Sequence, residues 1–133
     1  MSGDFPGGAF IWKDAVPCRL IKAHNSGVTG VYGGSFLNTL GDSFWVTYAA
    51  LTVYVGTSPA GPLFCQFFIG NACFFYDSQS IGEGNGIRFE WTGQLEVRYE
   101  ETLKLQVDTA GTSQNVDAVA HGFWQQIPQV FGA

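Results

Sequence analysis

Apolar and polar positions alternate with a period of two through much of this chain, and no 3.6-residue apolar period holds for ten residues anywhere in it. The pattern therefore predicts strands. Val16 to Ala23 forms a first one, with Val16, Cys18 and Leu20 on one face and Arg19 opposite; His24-Asn25-Ser26-Gly27 reads as the turn after it. Val28 to Leu40, punctuated by Gly30, Gly33 and Gly34, holds a short strand and a loop. Phe44 to Val55 is a buried strand with two apolar faces. Strict alternation puts Trp45, Leu51, Val53 and Val55 on one and Phe44, Val46, Tyr48, Ala50 and Tyr54 on the other.

A Pro-Gly loop at 56–62 precedes Leu63 to Ile69, and Gly70-Asn71 before Ala72 to Tyr76 is hairpin chemistry. Asp77 to Gly86 reads as a polar loop, after which Ile87 to Glu90 resumes a strand. Further on, Leu95, Val97 and Tyr99 alternate with Glu96 and Arg98, and Leu103, Leu105 and Val107 with Lys104, Gln106 and Asp108. With Glu100-Glu101 as the turn, these two runs predict an antiparallel pair, packed on a core on one side and wet on the other. Asn115 to Ile127, with Val116, Ala118 and Ala120 on one side and a bend at Gly122, is the last strand before Pro128.

Eight or so short strands joined by Gly, Pro and Asn turns predict an all-β fold, an antiparallel β-sandwich or jelly roll. Residues 16–128 form its single domain. Residues 1–15 read as an extended N-terminal arm, because Asp4-Phe5-Pro6-Gly7-Gly8 cannot hold a regular ladder; 129–133 form a short C-terminal tail.

Composition narrows the partners. Of 133 residues, 46% are apolar, 16% aromatic and only 13% charged, against about 25% charged in ordinary domains. That balance excludes intrinsic disorder. With six Lys and Arg and a net charge of -5, the chain has little to offer a phosphate backbone, so no nucleic acid is expected. Ser43 to Tyr76 is uncharged for 34 residues. The Pro-Gly loop cuts it into pieces short of the roughly 20 residues of a spanning helix, however, and no membrane partner is expected. Neither a basic n-region nor an apolar h-region opens the sequence, so no signal peptide is expected.

Candidate chemistry is sparse. Cys18, Cys65 and Cys73 form no C-x-x-C pair; they read as buried free thiols, with Cys65 and Cys73 placed to face each other across a hairpin. His24 and His121 with Asp14 or Asp117 are the only metal set worth weighing, and two unlinked histidines beside turns read better as structural residues. No nucleophile elbow is present, Glu100-Glu101 is a turn, and Gly82-Glu83-Gly84-Asn85-Gly86 lacks the Lys-Ser/Thr of a phosphate loop. The expectation is a non-enzyme with no cofactor and no metal. Among the four tryptophans, Trp12 and Trp124 are the candidates for stacking on a glycan.

Apolar surface is in excess. One small sandwich has a modest core, and the segments at 44–55, 63–76 and 10–12 carry more greasy side chains than it can hold. The surplus predicts a homo-oligomer, a trimer or higher ring, or attachment to a larger assembly. The faces carrying Glu96, Arg98, Lys104, Gln106 and Asp108 would be its outside.

From Phe89-Glu90-Trp91-Thr92-Gly93-Gln94-Leu95 through Leu103-Lys104-Leu105-Gln106-Val107 to Val116-Asp117-Ala118-Val119-Ala120-His121-Gly122-Phe123, the layout of strands and turns resembles small β-sandwich structural proteins of tailed bacteriophages. The likeness covers about the last 45 residues. It implies a virion protein assembled in the host cytoplasm: a capsid cement or decoration protein that oligomerises and bridges major capsid subunits, or an accessory protein of neck or tail. A carbohydrate-binding module is the reading from a different class. In the virion reading, Phe5, Phe10, Ile11 and Trp12 of the arm and Phe131 of the tail carry attachment.

Overall fold

A computed structural model describes residues 15–40, 42–54, 61–80, 86–109 and 112–125. They form eight strands: β1 (Ala15–Val28), β2 (Val31–Leu37), β3 (Ser43–Tyr54), β4 (Leu63–Ile69), β5 (Ala72–Gln79), β6 (Gly86–Val97), β7 (Thr102–Asp108) and β8 (Gln114–Gln125). Two four-stranded antiparallel sheets result, in the orders β1-β8-β3-β6 and β2-β7-β4-β5. The pairs β1–β8, β2–β7, β3–β6 and β4–β5 nest inside one another. That is the strand order of a jelly roll: one long hairpin, tipped by β4–β5, rolled up on itself.

The two sheets pack face to face around one core; on the outer face of the first sheet Ala50 and Phe123 are buried as well. Val46, Ala49, Leu51, Val53, Phe89, Val97, Val116, Ala118 and Ala120 of the first sheet meet Leu63, Cys65, Phe67, Leu103, Leu105 and Val107 of the second. One open edge is clipped by Phe74 of β5 standing edge-on to Trp91 of β6, ring centroids 4.9 Å apart. At the other edge β1 and β2 approach so closely that a Cβ on Gly34 would lie 2.6 Å from Ile21 Cγ2. A glycine is required there.

Several sequence expectations need correcting. β6 and β7 are not an antiparallel pair; they belong to different sheets. Alternation reports which face of a strand is buried but not which sheet the strand joins. The four residues between them arch across the sandwich, with Glu100 in the left-handed region at φ 65°, Arg98 N donating to Glu101 Oε1 at 2.8 Å and Glu101 N to Arg98 O at 3.0 Å. Only β4 and β5 are joined as a hairpin among the described strands, with Gly70 at φ 59° in its turn. Residues 24–27 continue β1 rather than turning, because β8 offers partners as far as Gln114. Asp77, Ser78 and Gln79 likewise extend β5, and 87–97 is one strand through Gly93. β1 begins at Ala15, one residue inside the stretch read as arm.

Bulges account for the remaining differences. An extra residue in β3 between Val46 and Tyr48 reverses the alternation there, so Val46 shares the core face with Leu51 and Val53, while Trp45 lies outside with Tyr48 and Tyr54. β1 has its own extra residue at Leu20, and β6 carries Gly93 and Gln94 opposite Thr47 alone. These three irregularities cluster beside His121 and Gly122 of β8, and a Cβ on Gly122 would come within 1.7 Å of Trp45 O.

Candidate functional site

Phe5, Phe10, Ile11, Trp12 and Phe131, the residues expected to carry attachment, lie outside the described residues. Trp124, the other candidate for glycan stacking, is half-buried at the end of β8. Strand alternation turns it toward the core side beside Phe44 and Val16, and its Nε1 donates to Asp42 Oδ2 at 3.1 Å. Trp91 packs inward on Phe74. Trp45 stacks on Phe123 on the outer face of the first sheet, centroids 6.1 Å apart and rings 13° from parallel.

The three cysteines are free, but only Cys65 is buried as expected: Cys18 is half-buried and Cys73 is exposed. Cys65 and Cys73 do not face each other, because the register puts Cys65 opposite Asp77 and Cys73 opposite Phe68. Burial pushes the Cys65 thiol far above its ordinary range, and the charges of Asp77 and Cys73 push it the same way. A thiol so reluctant to ionise is chemically quiet.

Of the weighed metal set, His24 Nδ1 and Asp117 Oδ1 are hydrogen-bonded across β1 and β8. His121 stands four residues further along β8, its ring against Tyr48. Among the described residues no three His, Cys, Asp or Glu side chains are grouped to hold a metal ion.

Two surface features are built. The outer face of the second sheet exposes Phe64 and Tyr76, ring centroids 6.4 Å apart, with Val31 one strand beyond Asp108 on the same rung as Phe64. Tyr76 is 58% exposed and Val31 54%. Lys104, Gln106 and Asp108 share this face, whereas Glu96 lies on the outside of the other sheet, hydrogen-bonded by Ser43. The second feature is a groove of about 330 Å³ on the first sheet between β1 and β8.

No protein-family model matches the chain, and no curated protein is detectably similar to it. What is shown is a small all-β sandwich.

Sequence reasoning missed the groove. Its residues are scattered over a hundred positions, and only the β1–β8 register and the bulge at Leu20 bring them to one face.

Proposed function

We propose that this protein is a non-enzymatic virion component: a capsid cement or decoration protein that forms a homo-oligomer and bridges major capsid subunits. The observation that carries the reading is a cluster of exposed apolar side chains on the outer face of the second sheet, a face expected from the sequence to be wet: Phe64 and Tyr76 are in ring contact, and Val31 lies across Asp108 from Phe64. Phe64, Tyr76 and Val31 stay exposed together in a chain with only 13% charged residues to keep it solvated. An exposed patch of large apolar side chains marks a surface that meets another protein. The strand order supports the class, since jelly rolls of this kind include viral capsid domains; fold alone does not decide function. The apolar arm residues Phe5, Phe10, Ile11 and Trp12, with Phe131, supply a second point of attachment.

Two measurements test the reading. Native mass by light scattering is expected to be a multiple of 14.4 kDa, and the purified protein is expected to co-sediment with intact capsids. Phe64→Ser with Tyr76→Ser, which removes only exposed apolar groups, is expected to weaken one or both. A lone monomer at high concentration that ignores particles would end the proposal.

A further inference from the structure

The chain has few cations, and most of the described ones are occupied. Arg88 pairs with Glu90 at 3.3 Å and Arg98 with Glu96 at 3.2 Å. Lys104 Nζ stands over the Phe68 ring, 5.5 Å from its centroid. Arg19 and Lys22 are the exceptions: neither has an ion-pair or ring partner among the described residues. Both line the groove between β1 and β8, together with both histidines of the chain.

This concentration depends on a local distortion. In a regular strand, residues three apart point to opposite faces. The register runs Arg19↔His121, then Ile21↔Ala120 and Lys22↔Val119, so Leu20 is absorbed as a bulge, and Arg19, Lys22 and His24 all project from the outer face. On β8 the same face presents His121, Val119 and Asp117. Bulges serve to re-aim side chains and gather beside functional sites. Asp117, the only acid lining the groove among the described residues, is already engaged with His24 Nδ1 and holds that ring in place. The Arg19 guanidinium and the Lys22 ammonium are left as uncommitted donors beside an apolar Val119 floor.

We propose that this groove binds an oxyanion, a carboxylate or phosphate group, on a small ligand. The donor set is right for it: a planar fork suited to paired oxygens, a point charge three residues on, and an imidazole on either side. The volume is at the small end of the range of ligand sites. The inference stands independently of the assembly reading, because it rests on a different sheet and different residues.

The test is an NMR titration of the full-length protein, in its native oligomeric state at low ionic strength, in two arms: inorganic phosphate and N-acetylneuraminic acid. Saturable shifts centred on Arg19, Lys22, Val119 and His121 are expected in at least one arm. The arm that responds distinguishes a phosphate from a sugar carboxylate. Arg19→Gln and Lys22→Gln, both at exposed positions, should each weaken binding roughly tenfold, while Lys104→Gln on the other sheet should leave it unchanged. Silence in both arms, or equal weakening by Lys104→Gln, overturns the proposal.

Discussion

The side-chain amide of Asn38 donates to the backbone carbonyl of Val97 at 2.9 Å, joining the β2–β3 connection to the last residue of β6 in the interior of the molecule. The same nitrogen donates to Asp42 O at 3.0 Å, the amide oxygen accepts from Leu40 N at 3.0 Å, and the backbone of Asn38 exchanges hydrogen bonds with Glu100 and Glu101. Two segments that cross between sheets at this end are thus fastened by one fully buried polar residue.

Asn38→Ala therefore takes the amide away from one buried carbonyl, Val97 O, and from two part-buried backbone groups, Asp42 O and Leu40 N. A buried group left unpaired costs about 1–3 kcal/mol, so urea denaturation is expected to show a loss of about 2–4 kcal/mol with an unchanged m-value. A loss below about 0.5 kcal/mol would mean that water replaces the amide and the fastening is dispensable.

How much of this was legible beforehand depends on what alternation encodes. Leu103, Leu105 and Val107 face the core as their period of two predicts, and Gly70-Asn71 marked the one hairpin among the described strands. Sheet membership was not legible: β6 and β7 look like partners on the page, yet a four-residue arch parts them. Trp45 was placed on the wrong face because a single bulged residue inverts every later position of the strand. The groove was hidden for the same reason, since Arg19 and Lys22 read as opposed until Leu20 is set aside.

Gly122 is held by contact distance rather than by turn geometry. A methyl group there would meet Trp45 O at 1.7 Å and its carbonyl carbon at 2.8 Å. Gly122→Ala should unfold the protein or lower its stability by several kcal/mol, beyond the about 1–3 kcal/mol of ordinary overpacking, because backbone cannot swing aside as a side chain can. Gly61→Ala is the control: nothing lies within 4 Å of its added carbon, and its melting temperature should stay within a degree or two of the parent.

Cys65 gives the fold an alkaline dependence. Its folded pKa is raised from 9.0 by burial, then by Asp77 and Cys73. Below pH 9 folded and unfolded chains both keep the proton and nothing changes. Above it the unfolded chain releases the proton while the folded one retains it, so stability falls by up to about 1.4 kcal/mol per pH unit. Cys65→Ala, whatever its own cost, should flatten that slope between pH 9 and 10.5. In the native protein a thiol reagent should modify exposed Cys73 readily and reach Cys65 only on unfolding.

Removing residues 1–14 tests the arm apart from the sandwich. The β1–β8 ladder begins at Ala15 opposite Gln125, so the shortened chain should keep its cooperative thermal transition. Under the virion reading it should lose co-sedimentation with capsids. Retained sedimentation would move attachment onto the sheet face around Phe64 and Tyr76.

Nesting has a consequence for synthesis. Among the described strands β1 pairs with β8 alone and β2 with β7 alone, so a chain emerging from the ribosome must hold these two strands without those partners until its last quarter has been made. Only the β4–β5 hairpin can form early from neighbours. Such long-range pairing folds slowly and leaves sticky edges open meanwhile. Translation halted before β8 should yield an aggregating fragment, not a smaller folded core.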